Sequence, residues 1–172
     1  MIIIGIDPGL ATVGFGVIDY TGNRFTVLDY GILSTPPRTP VPERLAMLYS
    51  DASKLFAKYR PDAISMEELY FSKNVTTGIP VAEARGVLLL AAQHAGISVY
   101  EYNPGEVKQA IVGYGRAEKK QVMEMTRMLL RLDKIPRPDD AADALAMAVC
   151  HAHCSGSLNV FSMNRGATRR NI

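Results

Sequence analysis

Ile2-Ile3-Ile4-Gly5-Ile6 runs directly into Asp7-Pro8-Gly9. A β-branched run halted by a proline–glycine turn is a buried strand with an acid at its mouth, and the rest of the chain has to be arranged around it. Two further strand candidates follow at 13–19 and 25–33, with Thr21-Gly22-Asn23 between them as hairpin chemistry. The chain therefore opens as an antiparallel three-strand meander.

After Pro36-Pro37-Arg38-Thr39-Pro40 the pattern changes. Leu45, Leu48, Ala52, Leu55 and Phe56 recur at helical spacing within 43–59, and 63–66 is a short apolar strand that delivers Glu67. Residues 71–80 lack periodicity and read as a loop, with Pro80 suited to open a helix. The helix that follows, 81–95, is apolar on nearly every side; such a helix is buried on two faces, and one of them is expected to meet a second subunit. A strand at 97–102 comes next. Helices are then expected from Asn103-Pro104 to Ile111, over 118–132, and from an N-cap at Asp139 or Asp140 to about His153. Strand–helix–strand units imply parallel pairing, so the expected fold class is α/β, a mixed five-stranded sheet flanked by helices. Residues 1–155 form the folded domain, and 156–172 are read as a basic, disordered tail.

Bulk properties exclude more than they select. No apolar run approaches the length of a membrane span, and nothing at the start resembles a signal peptide, so a cytoplasmic protein is expected. Cys150 and Cys154 stand one helical turn apart, a poor geometry for a bridge, and are read as reduced thiols. Adding His151 and His153 does not give a tetrahedral zinc set, so these are read as core thiols and surface histidines. The net charge of +2 depends on Arg165, Arg169 and Arg170 near the C-terminus; without them 16 basic residues face 17 acidic ones. Any polyanion site is therefore local and needs cations at its centre.

The acids stand where such a centre could form. Asp7 follows the first strand, Glu67 follows the fourth, and Asp140 and Asp143 share one face at the start of the last helix. Four neighbouring carboxylates repel unless a cation compensates, and hard oxygen ligands select Mg²⁺, with Mn²⁺ as an alternative. Two such ions suit in-line displacement at a phosphodiester. Taken singly, an Asp after a strand is also turn chemistry, and an Asp at a helix start is also a cap. Spacing alone leaves both readings open.

A resemblance favours the first. Ile4-Gly5-Ile6-Asp7-Pro8-Gly9 with Gly14-Phe15-Gly16, then Glu67-Glu68-Leu69-Tyr70-Phe71, Lys73-Asn74, Glu83-Ala84-Arg85-Gly86, Val107-Lys108-Gln109, Gly113-Tyr114-Gly115, Ala117-Glu118-Lys119 and Asp140-Ala141-Ala142-Asp143 resemble, in order, the RuvC family of Holliday junction resolvases. The resemblance implies an RNase H-like fold and a homodimer. It also implies a metal-dependent endonuclease that resolves four-way DNA junctions by paired, symmetric nicks, with a branch-migration complex of the RuvA/RuvB type as partner. By position it implies Asp7, Glu67, Asp140 and Asp143 as catalytic, metal-holding acids with two Mg²⁺ ions between them. Lys119 becomes a cation near the scissile phosphate, and Lys108 a backbone contact. Tyr70 is an aromatic residue stacked on an unpaired base, with Phe71 and Lys73 as further DNA contacts. The chain departs from the family pattern between Asn74 and Arg85, where Gly78 and Pro80 are expected to shorten the helix or reset the loop before it.

Overall fold

The computed structural model describes residues 1–69 and 75–155, with the backbone alone for 75–77. The tail expected at 156–172 and the side chains of Tyr70, Phe71 and Lys73 lie outside the described residues.

The apolar opening forms β1 (Ile2–Asp7), and β2 (Thr12–Thr21) and β3 (Arg24–Ser34) complete the meander. Gly22 and Asn23 both take positive φ, 57° and 60°, the mirror-image turn that matches the twist of a two-residue hairpin. Next come α1 (Val41–Tyr59), β4 (Ala63–Glu67), α2 (Val75–His94), β5 (Ser98–Tyr102), α3 (Pro104–Val112), α4 (Lys119–Leu129) and α5 (Asp139–Cys154). The sheet order is β3-β2-β1-β4-β5, antiparallel through β1 and parallel from β1 to β4 to β5. This is the mixed five-stranded sheet the pattern implied. It places β1 and β4 side by side.

Each face of the sheet carries its own core. Ile4, Ile6, Val13 and Met66 pack against α1 and α2, where Leu48, Phe56 and Leu88 are buried. Ile3, Ile18 and Tyr102 face α3, α4 and α5. The helix α5 lies hard against the second face, with Ala141, Ala144, Leu145, Ala148 and Val149 buried. Three strand glycines allow this approach. A Cβ on Gly5 would stand 1.8 Å from the Ala144 carbonyl oxygen, and one on Gly14 would stand 2.1 Å from that of Asp140. At Gly16 it would meet Leu145 Cδ2 at 2.7 Å. No side chain fits in any of these gaps.

Four local expectations need correction. The helix α2 begins at Val75, inside the expected loop, with Pro80 within it. Pro80 gives up its N–H bond to residue 76 and crowds that carbonyl, and the long apolar stretch that follows holds the helix in spite of it. At α4 the helix stops at Leu129, because Arg131 takes φ 55° and Arg127 Nη1 donates to the Leu132 carbonyl at 2.9 Å. Neither Asp139 nor Asp140 is an N-cap: Pro138 holds that place without a side-chain bond, and Asp139 is ion-paired with Arg137. His151 is no surface residue. It is 3% exposed, and its Nδ1 shares a hydrogen bond with Tyr102 Oη at 2.7 Å. Cys150 and Cys154 are free thiols, as expected.

Burial lowers the His151 pKa to about 4, so the ring is neutral in the fold. As pH falls from about 6.5 towards 4, unfolded chains take up a proton that the folded chain refuses. Stability attributable to this group is therefore present above pH 6.5 and lost across that window. Urea midpoints of the parent and His151→Gln, followed against pH, should diverge least at the acid end. Parallel profiles would remove this account.

Candidate active site

Two parallel strands bring the first acids together. The β1–β4 register pairs Ile6 with Met66, so Asp7 and Glu67 end neighbouring strands in step. Both follow residues packed against α1 and α2, Ile6 and Met66, so by strand alternation Asp7 and Glu67 lie on the other face, where α5 covers Gly5. Asp7 in turn pairs across β2 with Gly14, the glycine that lies beneath Asp140. A bare backbone at Gly14 thus allows the first turn of α5 to come down beside Asp7. One turn further on, Asp143 reaches the same space, where its Oδ2 accepts a hydrogen bond from Lys119 Nζ at 2.7 Å.

The lysines arrive on two short helices with firm starts. At α3 the Asn103 side chain accepts from the Glu106 N–H at 2.9 Å, and the Glu106 carboxylate accepts from the Asn103 N–H at 2.8 Å. At α4 the Gln121 side chain accepts from Glu118 N at 2.9 Å, which fixes Lys119 as the first helical residue. A cleft of about 310 Å³ results, with Asp7, Glu67, Asp143, Lys108 and Lys119 on its polar side. Its other lining residues are Pro104, Val107, Val122, Ala146 and Met147.

Electrostatics show how strongly the acids interact. Burial, then repulsion from Asp143, Asp140 and Glu67, pushes the Asp7 carboxyl up to about 7, against a partial offset from Lys119. Glu67 is also raised, by partial desolvation in the cleft and by Asp143. Lys119 is held above its ordinary value, mainly by its hydrogen bond to Asp143. The local charge balance is therefore short of positive charge, and oxygen donors in such surplus fit a hard divalent cation. Among the described residues, no three His, Cys, Asp or Glu side chains close on one point as a finished cage. The acids share a cleft rather than a single vertex.

Of the residues singled out from the sequence, Asp7, Glu67, Asp143, Lys108 and Lys119 line this cleft. Asp140 does not line it but lies close enough to raise Asp7. Asp139, one residue earlier, is turned to Arg137. The apolar lining was not anticipated. Its signal lay beside residues already noted, since Val107 precedes Lys108 and Ala146 and Met147 lie one turn beyond Asp143.

Residues 3–151 match the family model described as crossover junction endodeoxyribonuclease RuvC. The chain is similar to the crossover junction endodeoxyribonuclease RuvC of Heliobacterium modesticaldum, 55% identical over 153 residues, which cover 89% of this chain and 94% of that one. Among solved structures it resembles Thermus thermophilus RuvC, with a TM-score of 0.89 at 35% identity, covering 95% of this chain and all of that one. It also resembles T. thermophilus RuvC in complex with Holliday junction substrate, with a TM-score of 0.87 at 33% identity and the same coverage.

Proposed function

The chain belongs to the RuvC family of crossover junction endodeoxyribonucleases, and from that premise we propose how its own residues resolve a four-way DNA junction. The observation that carries the reading is the gathering of Asp7, Glu67, Asp143 and Lys119 in one cleft. The family is divalent-metal dependent. In this reading Asp7, Glu67, Asp140 and Asp143 hold two Mg²⁺ ions, with Mn²⁺ as an alternative. Ions so bound lower the pKa of water and offset charge on the phosphoryl oxygens.

The residues of the chain do the remaining work. Asp7 anchors the centre of the acid group, because it interacts with all three other carboxylates. Lys119 retains its proton beside Asp143 and presents a fixed positive charge where negative charge grows as water adds to phosphorus and the bond to the departing oxygen breaks. Lys108 grips the backbone next to the cut. Tyr70, with Phe71 beside it, stacks on an unpaired base at the crossover, and Lys73 contacts the neighbouring phosphate; these three roles rest on the resemblance. A synthetic four-way junction tests the whole reading. Paired, divalent-ion-dependent nicks on opposed strands are expected, and an intact junction beside a cut RNA duplex would redirect the assignment to RNA processing.

Symmetric cutting calls for two active sites, and we assign the dimer contact to the outer face of α2. Ile79 and Leu90 are 50% and 49% exposed there, with exposed Gly86 between them on the same helical face. Leu90→Glu is expected to sediment as a monomer at micromolar concentration and to lose the pairing of the two nicks. A dimer that persists would move the interface elsewhere. A branch-migration complex of the RuvA/RuvB type is the further partner proposed. No helix among the described residues is long and apolar enough to cross a membrane, and a branched-DNA substrate sets the work in the cytoplasm.

A further inference from the structure

An active site for a polyanion has no evident use for an apolar wall, yet half of this cleft is one. Pro104 and Val107 come from α3, Val122 from α4, and Ala146 and Met147 from α5. None of these side chains can donate a hydrogen bond. The arrangement repeats on two helices. On α4 the charge at Lys119 is followed by Val122, and on α5 the charge at Asp143 is followed by Ala146 and Met147. Residues three and four apart lie one above the other, about 5.4 Å along the axis. Each helix thus shows the cleft a charged turn and then an apolar turn. In a nucleic acid, the group one such step from a phosphate is the sugar.

Resting on the junction-nuclease reading above, we infer that the apolar half of the cleft is a deoxyribose subsite. It seats the C2′ edge of the nucleotide next to the scissile phosphate and excludes a 2′-hydroxyl. The cleft volume, about 310 Å³, is of the order of one nucleotide. With the phosphate at Lys119 and Lys108, the attached sugar rests on Val107, Val122 and Met147. A methylene at C2′ finds apolar neighbours there. A hydroxyl at C2′ brings a donor and an acceptor into a wall that answers neither, and an unpaired buried polar group is costly. The cleft would then choose DNA over RNA by withholding a hydrogen bond.

The test uses the full chain with divalent ion and synthetic four-way junctions, in single-turnover cleavage. One junction is all-deoxy; the others carry one ribonucleotide or one 2′-fluoro nucleotide immediately on either side of the cut. The 2′-fluoro sugar shares the pucker of ribose but cannot donate a hydrogen bond. At one of the two positions the ribonucleotide is expected to slow cutting by roughly 10- to 100-fold, while 2′-fluoro stays within a few-fold of deoxy. Val107→Thr, which adds a hydroxyl to the wall, is expected to narrow the gap between ribo and deoxy. Equal rates for ribo and deoxy at both positions would overturn the subsite, as would a 2′-fluoro penalty as large as that of the hydroxyl. Should Val107→Thr fail to fold, the substrate series on the unaltered chain still decides. An all-deoxy junction left uncut is a different failure: it removes the nuclease reading, and the subsite falls with it.

Discussion

Asp7→Asn is expected to cut four-way junctions more slowly by on the order of a thousandfold, about 4 kcal/mol of barrier, while binding them as tightly as the parent. The amide keeps the size of the side chain and removes the charge that Asp140, Asp143 and Glu67 all act upon. Contacts to the DNA backbone come from other residues, so a mobility-shift assay should be little changed. A second readout distinguishes this from a damaged fold. The Asp7 carboxyl titrates near 7 in the folded chain against an ordinary value of 3.8. The folded state therefore binds more protons between those values, and its stability falls as pH rises from about 4 to 7. Asparagine cannot ionise. Without divalent ion the variant should melt several degrees above the parent at pH 8, and level with it near pH 4. Full nicking activity, or a variant that melts lower at pH 8, would count against Asp7 as the strained centre of the site.

Gly5→Ala is expected to be the most damaging single-methyl change in the sheet. Its new Cβ would lie 1.8 Å from the Ala144 carbonyl oxygen and 2.7 Å from Ala148 N. Both are backbone atoms of α5, so no side chain can rotate out of the way. The helix must lift from the sheet, at roughly 3 kcal/mol or more. Because the first turns of α5 carry Asp140 and Asp143, the lift also opens the acid group beside β1. Urea denaturation should show the midpoint fall, and divalent ions should stabilise what remains less than they stabilise the parent. An unchanged midpoint would mean that α5 can ride higher on the sheet.

Much of this was legible from residue order. The isoleucine run ending at Asp7, the turn at Gly22-Asn23 and the short apolar strand from Ala63 each follow from local chemistry, and together they imply the mixed sheet. Asp7 and Glu67 could be paired because parallel strands put their ends at the same edge. The floor beneath α5 was harder to read. Gly5 and Gly16 stand eleven residues apart and become neighbours only through the antiparallel register that pairs them. A glycine inside a strand does hint at close backbone approach, but not at what approaches. His151 shows the same limit. Its helix position was clear, while its burial depends on Tyr102, contributed by β5. The start of α2 was missed because Gly78 and Pro80 both count locally against a helix, and the long apolar stretch after them prevails.

The sheet order has a consequence in time. A nascent chain leaving the ribosome exposes Asp7 early and Glu67 midway, yet the surface that receives Asp140 and Asp143 stays uncovered until α5, the last helix described, emerges and settles on Gly5, Gly14 and Gly16. Half-made copies thus carry two of the acids without the pair that completes them. On the proposed four-acid site, junction cutting therefore waits for α5 to settle on the sheet.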